Sequence, residues 1–158
     1  MTTLIMGLGN RIMSDDGIGP KVISLLQRDG GLPEDVRLLD GGTLGLDLLP
    51  HLEGIDRLII VDAVETGKTA GTLVRLAGEE VSLTIETKLS PHQMGMKDLL
   101  AVARLMDCLP QEIVLIGMQP YCLEMDTELT PVVAKRLPKL LEMVRGELTN
   151  PSASICPG

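Results

Sequence analysis

Four aspartates and one histidine carry the chemistry that this chain can offer. Asp15 and Asp16 follow the apolar run Thr3 to Leu8, Asp40 follows Val36 to Leu39, and Asp62 follows Leu58 to Val61. If these runs are strands of an open α/β sheet, ligands bind in the crevice beyond their carboxyl ends, and three strands deliver carboxylates to that one edge. Ser90 followed by Pro91 reads as a helix cap and first helical residue, which places His92 in a helix's first turn. Carboxylates and one imidazole at a common edge describe either a metal site with O and N ligands or a carboxylate acid/base centre.

Each residue also has a plainer role. Asp15 or Asp16 could cap the helix that follows them, where a carboxylate meets free N–H groups and the positive end of the dipole. Asp40 precedes Gly41-Gly42-Thr43 and suits a turn. His92 could be a first-turn surface residue. Asp62 is harder to explain away, because it ends an apolar central strand where a bare carboxylate costs several kcal/mol, on the order of a lost hydrogen bond or more. It needs a partner or a ligand. Of the two histidines, His51 follows Pro50 near a helix end and suits a solvated or capping role. The dipole at a helix start favours the neutral imidazole that binds metals, so His92 is the candidate.

Positioning these groups requires alternating strands and helices. Five short apolar runs qualify as strands, at Thr3 to Leu8, Val36 to Leu39, Leu58 to Val61, Thr72 to Leu76 and Ile113 to Ile116. Most are continuous rather than alternating, as in strands buried on both faces. Ile18, Val22, Leu25 and Leu26 make one helical face with Pro20 in its first turn; Leu44, Leu48 and Leu52 make a second, capped by Thr43. The helix after Ser90 buries Leu99, Leu100, Ala103 and Met106. A last helix starts at Thr130-Pro131 and buries Val133, Leu137, Leu140, Leu141 and Val144, with Pro138 expected to bend or split it. Residues 81–89 fit neither pattern firmly. The expected architecture is α/β, a three-layer sandwich with a mostly parallel five-stranded twisted sheet and helices on both faces, phosphorylase/hydrolase-like with flavodoxin-like order. Residues 1–148 read as one domain and 149–158 as a loose tail.

Composition narrows the functions. With 158 residues, 14 Lys and Arg against 22 Asp and Glu and a formal charge of −8, the chain lacks the clustered cations that phosphate backbones require. Tyr121 is its single aromatic residue, so bases have no stacking platform. Nucleic acid is excluded as a partner. Cys108, Cys122 and Cys156 are scattered, with no CxxC pair, which fits a reducing cytoplasm and not a disulfide framework. No apolar run approaches the ~20 residues that span a bilayer, nor is there a signal-type start. A soluble cytoplasmic monomer is expected.

Familiar motifs mostly fail. Gly7-x-Gly9 lacks the third glycine of a dinucleotide fingerprint, since position 12 is Ile. A phospho-receiver domain would use an acidic pair and an acceptor like Asp15, Asp16 and Asp62, yet Gln119-Pro120 stands where its Lys-Pro belongs and Ala77-Gly78 where its Ser/Thr belongs. There is no H-E-x-x-H and no G-x-S-x-G.

Taken in order, Gly7-Leu8-Gly9-Asn10, Asp15-Asp16-Gly17-Ile18-Gly19, Asp40-Gly41-Gly42-Thr43, Ile60-Val61-Asp62-Ala63 and Ser90-Pro91-His92-Gln93 closely resemble the hydrogenase maturation endopeptidases, the C-terminal processing proteases of [NiFe] hydrogenase large subunits. Gly117-Met118-Gln119-Pro120 and Leu129-Thr130-Pro131 extend the resemblance, which covers residues 3 to 148. It implies a substrate that composition does not reveal: a large-subunit precursor that loses a short C-terminal peptide after nickel insertion. The family's metal-binding positions fall on Asp16, Asp62 and His92, and its substrate-recognition or cleavage loop on Asp40, Gly41, Gly42 and Thr43. Nickel is expected to arrive with the precursor. Water polarised by the metal, with Asp40 or a ligating carboxylate as base, is one implied mechanism; aspartates acting without a metal-activated nucleophile is another. A nickel-binding chaperone that recognises the large subunit without cutting it is the alternative of a different class.

Overall fold

Branched aliphatic residues in short runs build the strands, and a computed structural model describes residues 2–42, 45–81 and 91–149, the side chains of 45–46, 91–97 and 149 excepted. The strands are β1 (Thr3–Leu8), β2 (Val36–Gly42), β3 (Arg57–Ala63), β4 (Leu73–Ala77) and β5 (Glu112–Met118). The helices are α1 (Ile18–Asp29), α2 (Pro91–Leu105) and α3 (Pro131–Thr149), with 3-10 segments at Ser14–Gly17 and Gly45–Leu52. Thr43, Ser90, the 82–89 part of the ambiguous stretch and the tail beyond 149 lie outside the described residues.

The sheet order is β2-β1-β3-β5-β4. β1 pairs in parallel with β2 and β3, and β3 with β5, while β4 lies antiparallel on the outer side of β5. A mostly parallel five-stranded sheet is therefore present. Its order departs from the flavodoxin-like 2-1-3-4-5 at the edge, where the last two strands exchange places. β4 follows β3 through a short loop, residues 64–72, without a crossover helix, so it cannot join in parallel and adds as an antiparallel edge. This order also removes the phospho-receiver reading, whose sheet keeps 2-1-3-4-5.

Successive residues of a strand point to opposite faces, and here both faces are buried. In β1 and β3, Leu4, Met6, Leu58 and Ile60 pack on one side with Leu48, Leu52, Leu99 and Ala103 of the Gly45–Leu52 segment and α2. Ile5, Ile59 and Val61 pack on the other with Ile18 and Val22 of α1 and Val133, Leu140 and Val144 of α3. Three layers result. Truncating a residue such as Ile59, fully buried in the middle of the sheet, costs about 2–5 kcal/mol.

Two helix details differ from expectation. Met106 lies just past the end of α2 and is exposed, so the apolar stripe stops at Ala103. Pro138 sits inside α3 without splitting it. The carbonyl of Ala134 forfeits a donor to the ring, but Leu137 and Leu140 on either side are buried in the core and carry the helix through.

Candidate active site

The carboxyl ends of the strands come into register. Gly7 of β1 stands opposite Asp40 of β2 and Val61 of β3, and Asp62 stands opposite Gly117 of β5. Asp40 and Asp62 thus flank β1 at the same level, about 10 Å apart at two strand spacings.

Asp16 reaches this edge through the loop after β1. Gly9 has φ +127°, and a Cβ there would fall 1.8 Å from the carbonyl oxygen of Asp16. Only glycine lets the Ser14–Gly17 segment fold back so closely. The returned Asp16 accepts the Asn10 N–H on Oδ2 at 2.8 Å. Close approach continues at Gly19, whose Cβ would meet the carbonyl oxygens of Leu8 and Val61 at 2.3 and 2.5 Å. The glycines that hinted at a phosphate loop serve backbone contact between α1 and the sheet.

Asp62 is buried at the end of β3, with Oδ1 accepting the Ala63 N–H at 2.8 Å. Asp40 is half-exposed. Its Oδ2 accepts from Arg11 Nε and Nη2 at 3.1 and 2.8 Å, and its Oδ1 accepts the Gly42 N–H at 3.1 Å. The turn role foreseen for Asp40 is present, with an added ion pair to Arg11. Gly41 is buried under Leu8, Met6 and Leu48.

His92 lies in the first turn of α2. α2 leads into β5, which starts at the amino edge of the sheet, so α2 runs back along the sheet and its beginning is at the carboxyl edge. The backbone therefore carries His92 to the same edge as Asp16 and Asp62. Among the described residues no group of three His, Cys, Asp or Glu side chains is placed to hold a metal, and the His92 side chain is not one of them.

Asp15 does something other than cap α1. The α1 start, with Gly17 as N-cap, has no side-chain cap bond. Asp15 is instead fully buried and accepts the N–H groups of Tyr121 and Cys122 on Oδ2, at 2.8 and 3.0 Å, and that of Thr130 on Oδ1, at 2.8 Å. The Thr130 hydroxyl donates to it as well. Charge-assisted bonds of this kind are among the stronger ones in proteins, and four of them satisfy a carboxylate otherwise expensive to bury. Backbone bonds reinforce the link: Ser14 N–H to Asp126 oxygen, Asp126 N–H to Ile12 oxygen and Asp15 N–H to Cys122 oxygen. The loop between β5 and α3 is thereby tied to the segment that carries Asp16. A cavity of about 440 Å³ opens between the two, bordered by Arg11, Ser14, Gly17, Lys21 and Glu128.

Sequence reasoning missed two other anchors. Gln119, buried after β5, accepts from the Thr66 N–H and hydroxyl and donates to Glu65, fastening the loop after β3. Arg11, exposed in the first loop, reaches Asp40 and Ser24. Both partnerships span more than a dozen residues and leave no local pattern.

A family model described as hydrogenase maturation protease matches residues 20–147. The Hydrogenase 2 maturation protease of Escherichia coli (strain K12) is 37% identical over 158 residues, covering 99% of this chain and 96% of that protein. The hydrogenase expression/formation protein HupD of Rhodobacter capsulatus is 43% identical over 136 residues, covering 85% of this chain and 65% of its own length. Among solved structures, the hydrogenase maturating endopeptidase HybD from E. coli superposes with a TM-score of 0.90 at 37% identity, over 95% of this chain and 93% of that one. The [NiFe] hydrogenase maturation protease HybD from Thermococcus kodakarensis gives 0.80 at 30% identity, over 94% and 99%. Similarity of this strength extends over nearly the whole length of both chains, and the chain belongs to the hydrogenase maturation protease family, an endopeptidase by that membership.

Proposed function

We propose that this endopeptidase removes a short C-terminal peptide from the precursor of a [NiFe] hydrogenase large subunit, and does so only after nickel has been inserted. The observation that carries the reading is the convergence at one edge: Asp62 at the end of β3, Asp16 folded back over Gly9, and the helix start bearing His92. Asp16, Asp62 and His92 are the ligand set, and nickel enters as part of the substrate. Two carboxylates and one imidazole form an open set that leaves positions for water or substrate groups, and the metal held there supplies Lewis acidity beside the peptide carbonyl. A cation at this place also offsets the cost of burying Asp62.

The remaining roles belong to the chain's own groups. The substrate's tail meets the turn at Gly42, with Gly41 packed beneath it, and Asp40, whose oxygens hold Arg11 and the Gly42 N–H, keeps that turn in shape against the bound peptide. A carboxylate of this edge takes the proton of the attacking water. The partner is the large-subunit precursor, acted on by a monomer; the scattered cysteines fit a reducing cytoplasm. No helix among the described residues is long and apolar enough to cross a membrane.

Incubation of nickel-loaded and nickel-free precursor with the protein, followed by intact-mass measurement, tests the reading. Loss of the C-terminal peptide is expected from the loaded form alone. Equal cleavage of both forms overturns nickel dependence, and cleavage of neither overturns the substrate.

A further inference from the structure

Of the seven large apolar side chains that stand exposed among the described residues, four sit on the two loops that Asp15 ties together: Ile12 (49% exposed), Tyr121 (72%), Leu123 (47%) and Met125 (78%). The chain has one aromatic residue in all, and it is spent here, in water. A protein whose core uses no aromatic side chain has no packing reason to place one on a loop. Tyr and Met are side-chain types enriched at protein interfaces.

This ridge is built firmly. Tyr121 and Cys122 donate their N–H groups to Asp15, Asp126 exchanges backbone bonds with Ile12 and Ser14, and the Ser14 hydroxyl donates to the Glu124 carbonyl at 2.5 Å. A pinned apolar ridge is already ordered for contact, so binding loses little further conformational entropy. Along the loop between β5 and α3 the charge is one-sided, while Arg11 beside Ile12 is held by Asp40. Glu124, Asp126 and Glu128 are exposed along the same loop, and no Lys or Arg occurs from Glu112 to Ala134.

We infer that Ile12, Tyr121, Leu123 and Met125, with the Glu124 and Glu128 carboxylates beside them, form a docking surface for the folded body of the substrate protein, which presents apolar side chains flanked by Lys or Arg. The inference rests on the proposed precursor substrate and adds to it a contact away from the cleaved tail. The segment that anchors the ridge through Asp15 is the one that carries Asp16, its neighbour in the chain. Docking there holds the precursor while its C-terminal segment lies along the strand ends. Specificity between precursors would then be read partly from the body and not from the tail alone.

The test titrates purified nickel-loaded large-subunit precursor from the source organism against the wild type, Y121S/M125S, E124K/E128K and the control L105S/M106S, whose exposed apolar pair lies at the far end of α2. Tyr121 anchors through its backbone N–H, so the serine variant keeps the bond to Asp15. Circular dichroism is expected to be the same for all four. Y121S/M125S is expected to raise Kd at least tenfold, and E124K/E128K to raise it at low salt with the difference shrinking as salt rises. L105S/M106S should bind as the wild type does. Wild-type affinity in both ridge variants overturns the docking surface while wild-type cleavage leaves the substrate reading standing. A wild type that neither binds nor cuts the precursor overturns both. Concentration-dependent dimers in sedimentation that Y121S/M125S abolishes would show a second copy on the ridge and overturn the precursor as its occupant.

Discussion

The two edges of the sheet treat charge in opposite ways. At the amino edge, Arg57 begins β3 with its guanidinium almost wholly buried, donating from Nη1 to the Glu147 carbonyl at 2.7 Å and from Nη2 to the Glu147 carboxylate, with Glu112 Oε2 2.9 Å from its Nε. Arg75 pairs with the same Glu147. Two cations and two anions close on one another, and the cluster ties the end of α3 to the start of the sheet. At the carboxyl edge the carboxylates of Asp15, Asp16 and Asp62 accept backbone N–H groups. An N–H donor orients a carboxylate and leaves its formal charge in place. The amino edge therefore joins its charges in buried ion pairs, whereas at the carboxyl edge backbone N–H groups orient Asp16 and Asp62 and the exposed Arg11 holds Asp40 at the rim.

The largest effect expected from this contrast is on catalysis. Asp62→Asn, Asp16→Asn and His92→Ala should each slow loss of the C-terminal peptide by ~10³-fold or more, about 4 kcal/mol of transition-state stabilisation. Their melting temperatures should stay close to that of the wild type, and His51→Ala, exposed in the Gly45–Leu52 segment, should cut normally. Full activity in any of the three removes that residue from the site. A collapse in stability would make the carboxyl edge structural too, and the contrast would break.

The amino edge should answer in the other currency. Glu147→Ala leaves Arg57 buried without its main counter-charge, a defect of about 3–5 kcal/mol. For a chain of this length that is roughly 2–4 °C per kcal/mol, so calorimetry should register a fall on the order of 10 °C. Cleavage per folded molecule should not change.

What could be read from the sequence divides along the same line. Strands announced themselves as apolar runs, and a carboxylate directly after such a run marked Asp40 and Asp62. Pro91 and Pro131 marked helix starts because proline's fixed φ suits the first helical position, a local effect, although the Thr130 hydroxyl expected as a cap donates to Asp15. Arg57 and Glu147 gave no such signal, since their bond joins residues 90 apart and the strand read as starting at Leu58. Asp15 looked like a cap or a ligand because its true partners lie 106 to 115 residues away. The antiparallel β4 was hidden for a related reason: pairing direction follows from how the chain returns, not from the residues of the strand.

Asp15 joins the two strategies, a structural carboxylate at the functional edge, and Asp15→Asn tests that position. The amide keeps the shape but places an NH₂ against N–H donors, so about 1–3 kcal/mol of stability should be lost. The loss should be local. Hydrogen exchange of the Tyr121 and Cys122 amides should accelerate more than that of Ile59 or Ile60 in β3, and cleavage should weaken as the loops part. Uniform acceleration across the sheet would show that Asp15 serves the whole fold instead.

The smallest expected effect is on pH dependence, and it too belongs to the amino edge. Burial pushes the Glu147 carboxyl up, but hydrogen bonds from Arg75 and Arg57, and their charges, outweigh it and hold the group below its ordinary value of 4.5. A carboxylate depressed by folding contributes stability that is present above its unfolded value and is lost as pH falls through the folded one. Wild-type melting temperature should thus decline below about pH 4.5, where Glu147 takes up its proton and Arg57 and Arg75 lose their shared anion. Glu147→Gln removes the titrating group while keeping its shape, so its profile should begin lower and fall less steeply over that range. Parallel profiles for the two proteins would mean that acid acts elsewhere, and the closed cluster at the amino edge would cease to account for the stability assigned to it.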